Sequence, residues 1–130
     1  MNLVYDFLKQ SNTYYLATID GNQPRVRPFG TINLFNGKLY IMTQRDKDVA
    51  KQMVANSRVE ISAVLGEKWI RIEATMVDDN SVEAKQSMLD AYPFLQSMYS
   101  ATDNGTMVLY MTDVKASICS HTDKPHIVEF

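Results

Sequence analysis

Residues 25–51 read RVRPFGTINLFNGKLYIMTQRDKDVAK. Arg25 to Leu34 carries the alternation and β-branched content of a strand. Asn36-Gly37 is a tight-turn signal between two apolar runs, so Leu39 to Thr43 is predicted to return as its antiparallel partner. The period then changes. Asp46 to Ala55 reads as a helix with Asp46 as N-cap, Asp48 in the first turn, and an apolar stripe of Val49, Met53 and Val54. Asn56 is expected to close that helix in a left-handed conformation.

The flanking sequence continues the strand pattern. Leu3, Val4, Phe7 and Leu8 have helical spacing, interrupted at Ser11-Asn12-Thr13. Tyr14 to Ile19 is a strand, followed by a turn at Asp20-Gly21-Asn22. Val59 to Leu65 and Trp69 to Val77 form two more, joined by Gly66-Glu67-Lys68. Ser81 should cap a helix reaching about Tyr92, with Val82, Met88, Leu89 and Tyr92 as its buried side. Pro93 ends it, and Phe94, Leu95 and Met98 suggest one more turn. After a loop at Asp103-Asn104-Gly105, Met107 to Met111 and Ala116 to Ser120 are expected as a strand pair across Thr112-Asp113. His121 to Phe130 has no regular pattern. About six strands with short connections give a mainly β, mainly antiparallel sheet with short helices. Closing such a sheet into a barrel removes its exposed edges.

The 130 residues are expected to form a single domain, 1–130. A net charge of −2 argues against a general nucleic-acid binder, though not against a local pocket for one phosphate. A lone cysteine, Cys119, permits no internal disulfide and no Cys-based metal cluster. The first ten residues lack a signal-peptide pattern, and no stretch of about 18 apolar residues occurs. The expectation is a reduced, cytoplasmic protein.

Two polar clusters are candidates for chemistry. Arg25, Arg27 and Phe29 share one face of their strand. Pro28 removes a ladder hydrogen bond and Gly30 admits close approach of a ligand to backbone. Thr43, Gln44, Arg45 and Lys47 lie at a strand-to-helix junction, where free N–H groups and a positive dipole end favour phosphate. Lys51 follows Lys47 by one turn. Each cluster also reads as a solvated charged face. Trp69, Arg71 and Glu73 share a face of their strand, suiting either a subunit interface or a ring-stacking wall, or a strand packed under a helix. No metal set, nucleophile elbow or Gly-rich phosphate loop occurs.

Four segments in this order give the chain a recognisable likeness: Pro24-Arg25-Val26-Arg27-Pro28-Phe29-Gly30, Gly37-Lys38-Leu39-Tyr40-Ile41-Met42-Thr43, Lys47-Asp48-Val49-Ala50-Lys51-Gln52-Met53, and Lys68-Trp69-Ile70-Arg71-Ile72. The chain resembles the flavin-binding split barrels of the pyridoxamine 5′-phosphate oxidase superfamily, in their small Nim-like branch. The resemblance implies an antiparallel Greek-key split barrel and a homodimer with FMN at its interface. It places Arg25, Val26, Arg27, Pro28 and Phe29 along the flavin. Thr43 and Gln44 would meet the ribityl or phosphate portion, with Met42 beside them among the cofactor-binding residues. Lys47 with Lys51 would meet the phosphate, and Trp69 and Arg71 would sit near the interface.

The expected function is an FMN-dependent oxidoreductase of unknown substrate. Alternatives are a non-catalytic flavin carrier or sensor, or a heme-binding relative using His121 or His126. The Arg- and His-bearing C-terminal segment of the true oxidases has no evident counterpart. Residues 1–120 contain no histidine, so the one associated with nitroimidazole reductases is missing too.

Overall fold

The computed structural model describes residues 1–130. Helix α1 (Asn2–Ser11) buries Val4, Phe7 and Leu8, while Leu3 stays exposed. Strands β1 (Tyr14–Asp20) and β2 (Gln23–Phe29) form the first hairpin, with Leu16 opposite Arg27 and Tyr14 opposite Phe29. The expected single strand from Arg25 to Leu34 is broken. It stops at Phe29, and a short β3 (Asn33–Phe35) begins after three intervening residues. Between them the backbone is held by side chains. Tyr14 Oη donates to the Thr31 carbonyl at 2.6 Å, and the Met42 N–H donates to Thr31 Oγ1 at 3.0 Å. Tyr92 Oη accepts from the Ile32 N–H at 2.9 Å and donates to its carbonyl at 3.0 Å.

Asn36 and Gly37 adopt φ of 51° and 69°. Two positive values in succession are what a two-residue hairpin requires, and Asn-Gly meets the requirement at little steric cost. β4 (Lys38–Gln44) is therefore set against β3 in register. It is buried on both faces: Leu39 and Ile41 enter the main core, while Tyr40 and Met42 enter a second cluster. That explains its unbroken apolar run.

Helix α2 (Asp48–Ala55) buries Val49, Ala50 and Met53, whereas Val54 is 71% exposed. Two sequence expectations fail at its ends. Lys47, not Asp46, is the N-cap, with no side-chain capping bond, and Asn56 is extended at φ −144°. β5 (Arg58–Leu65) and β6 (Lys68–Asp78) pair along their length. Helix α3 (Val82–Ala91) starts as predicted, with Ser81 Oγ accepting from the Ala84 N–H at 3.2 Å. Val82 is exposed, and Ala84 and Lys85 join Met88 and Leu89 on the buried side. A short 3-10 helix, Pro93–Ser97, follows.

The expected final strand pair is instead one strand, β7 (Thr106–Cys119). Thr112-Asp113 is not a turn. Pairing with β6 jumps from Thr112↔Thr75 to Lys115↔Glu73, and Asp113 sits at φ 50°. One extra residue on β7 makes a bulge that bends the strand without ending it. Its bent second half pairs with β8 (His126–Glu129), in the tail that showed no pattern.

All pairings are antiparallel. The sheet order is β2-β1-β5-β6-β7-β4-β3, with β8 on β7. The ends of that order, β2 and β3, are consecutive in the chain yet unpaired with each other, so the sheet curls into a barrel split between them. α3 packs over β3. On β2, Pro24 and Pro28 lack N–H groups and blunt the strand for further pairing.

Candidate functional site

The alternation along β2 is resolved by its partner. Arg25, Arg27 and Phe29 lie opposite Thr18, Leu16 and Tyr14, all buried, so these three turn toward the barrel. Val26, 67% exposed, and Pro28 face outward. Phe29 packs against Tyr14, ring centroids 6.0 Å apart. Arg25 pairs with Asp20 at 3.3 Å, both half-exposed, a contact of little net energy.

Arg27 is held far more firmly. Its Nη1 donates to the Leu16 carbonyl at 3.2 Å and to Thr18 Oγ1 at 2.8 Å. Its Nη2 donates to Gln52 Oε1 at 2.6 Å, and Thr18 Oγ1 donates to the same oxygen at 2.5 Å. Burial, then the nearby Arg25 charge, press the guanidinium below its ordinary pKa, with Asp48 opposing. None of its partners is a carboxylate, so the charge is hydrogen-bonded without being neutralised.

Two hollows meet at Arg27. The smaller, about 240 Å³, lies in the split and is lined by Arg27 to Thr31, Met42, Thr43 and Lys47, with Leu95 and Tyr99 from beyond α3. The larger, about 1030 Å³, is open and polar. It takes in Arg25, Val26, Arg27, Lys47, Lys51 and Gln52, together with Asp20, Asp46 and Asp48. Arg27, Lys47 and Val49 line both.

The start of α2 stands at that shared wall. No side chain caps it, and the Asp48 and Val49 amides find no partner in the chain. The Lys47 and Lys51 ammoniums form no ion pair. Free helix N–H groups, a lysine and a fixed arginine thus converge at one point, a combination suited to an oxyanion. The smaller hollow contributes no carboxylate, imidazole or thiol. Its chemistry is that of positioning, with apolar walls and the hydroxyls of Thr31, Thr43 and Tyr99.

Not every sequence candidate reaches this place. Gln44, half-buried at the end of β4, lines neither hollow. Arg45 is occupied by Asp78 at 2.7 and 3.0 Å and by Asn80. Trp69 and Arg71 project from the outer face of β6, where the Trp69 ring packs at a tilt against His121, centroids 5.0 Å apart, and Arg71 pairs with Glu60 at 3.5 Å. His126 is exposed on β8. Sequence reading missed Gln52, Thr18, Leu95 and Tyr99. Gln52 was visible only as one turn on from Asp48 in a helix, and Tyr99 lies in a segment without periodicity.

A curled antiparallel sheet split between β2 and β3 is the architecture of a split barrel. The pyridoxamine 5′-phosphate oxidase family model matches residues 3–112, and the chain belongs to that family. A NimC/NimA family protein from Clostridium acetobutylicum is 40% identical, with all of this chain aligned to 92% of that one at a TM-score of 0.96. General Stress Protein 26 from Bacillus anthracis shares the fold at 14% identity, full coverage of both chains and TM-score 0.78. So does a heme-binding protein from Mycobacterium smegmatis, at 14% identity and TM-score 0.71, over 96% of this chain and 55% of that one. No curated protein sequence matches the chain.

Proposed function

We propose that the chain binds FMN, its phosphate at the wall shared by the two hollows and its ring in the split, and acts as an FMN-dependent oxidoreductase. The observation that carries this reading is the convergence of Arg27, Lys47 and the uncapped start of α2, three cationic or donor groups with no anion bonded to them. Phe29, Met42 and Leu95 supply apolar surface for a planar ring. Bound FMN would supply the electron or hydride transfer. The chain's residues bind, orient and shield: Arg27 and Lys47 hold the phosphate, Thr43 meets the polar linker, and the Arg27–Thr31 segment lies beside the ring. No side chain in the split is assigned proton transfer.

The smaller hollow falls below the roughly 300–1,000 Å³ of pockets that enclose a cofactor-sized ligand. A second copy of the chain would close it, consistent with a homodimer carrying flavin at its interface, with the outer faces bearing Val26, Trp69 and Arg71 available to the partner. His121 and His126 line neither hollow, so no feature of the site favours heme. Lys47→Ala should weaken FMN binding by about 1.5–3 kcal/mol, the usual worth of a hydrogen bond to a charged group. Unchanged affinity in an equilibrium titration would refute its role. FMN that binds but accepts no electrons from nicotinamide donors would leave the chain a flavin carrier or sensor.

A further inference from the structure

The proton arrangement around Arg27 is fully determined. Arginine only donates, so Thr18 Oγ1 and Gln52 Oε1 must both accept from it. The single Thr18 hydroxyl proton then goes to Gln52 Oε1. The oxygen of Gln52 therefore faces the guanidinium, its amide N–H groups have no partner in the chain, and the residue lines the larger hollow. On Arg27, both Nη1 protons and one of Nη2 are engaged. The Nε–H and the second Nη2–H remain, and these two lie side by side on one edge of the planar group, the geometry that grips an oxyanion bidentately.

We propose that Gln52, backed by Thr18, is a positioning residue that makes the site selective for a phosphomonoester terminus. It engages the far end of the Arg27 guanidinium with a neutral acceptor. The side edge keeps no partner in the chain, on a residue that lines both hollows together with Lys47, and no carboxylate is bonded to the charge. A carboxylate in the same place would hold the same geometry and neutralise it. This rests on the flavin reading above and adds to it the residue that determines phosphate preference.

The test compares FMN with riboflavin, which lacks the phosphate, on the full chain. Wild type should prefer FMN, and Gln52→Glu should lower that preference at least tenfold while riboflavin affinity stays within about twofold. A general packing defect would weaken both ligands alike. If Gln52→Glu does not fold, Gln52→Met takes its place: the acceptor is lost and the FMN preference should again fall. A wild-type preference retained in the folded variant overturns the proposal while leaving flavin binding intact. Wild type that binds no FMN overturns both.

Discussion

Arg27 and Lys47 illustrate how differently two cations from one segment are treated. Arg27 is fixed by three hydrogen bonds to neutral acceptors, whereas the Lys47 ammonium forms no ion pair. Fixing costs little at binding because the ordering is already complete, and this is what a receptor for a rigid anion requires. Sequence spacing identified both residues but not their roles. Alternation placed Arg25 and Arg27 on one face, and only the β1 partners show that this face turns inward, where Arg25 finds Asp20 and Arg27 finds Gln52. A second residue-scale expectation concerns pH. Asp103 accepts from the Ser100, Thr106 and Gly105 amides and the Thr106 hydroxyl, which hold its carboxyl down to about 2. Because the folded pKa is depressed, the stabilisation is complete above the ordinary value of about 3.9 and is lost as pH falls through about 2. An NMR titration of the Asp103 carboxyl should show a midpoint near 2; a midpoint near 4 would mean that the Ser100–Thr106 loop is not held this way.

At the scale of elements, the segment between β2 and β3 is decisive. Its composition reads as one strand, and no local signal ends it apart from Gly30. The break is imposed from a distance, by Tyr14, Met42 and Tyr92 taking the hydrogen bonds that a neighbouring strand would have made. The β7 bulge was hidden for a related reason: Thr112-Asp113 has the composition of a turn, and pairing to β6 on either side carries the strand through. Hairpins, by contrast, were legible because Asn36-Gly37 sets its geometry within two residues. Tyr14 is buried, its phenol pushed well above its ordinary pKa by that burial, so it serves as a neutral donor. Tyr14→Phe leaves the Thr31 carbonyl without that donor and should destabilise the chain by about 1–3 kcal/mol in denaturant melts. No loss of stability would show that the break between β2 and β3 does not depend on it.

For the whole molecule, the family was readable because four short segments occur in one order across the chain, each degenerate alone. The assembled barrel explains that order. β2, the β4 end and the start of α2 are far apart in neither sequence nor space, and the curl of the sheet brings Leu95 and Tyr99 to the same split. Leu95 was legible only as part of a short helical turn and Tyr99 follows it without a period, so only folding reveals that they reach the split. The same geometry leaves the split open to solvent, and a two-fold pair of chains would close two equivalent sites. The most direct measurement is an absorption titration of the purified chain with FMN. Saturable binding of one FMN per chain, with a perturbed flavin band and a dimer in solution, is the expected result. A spectrum that remains that of free FMN at every protein concentration would contradict the account.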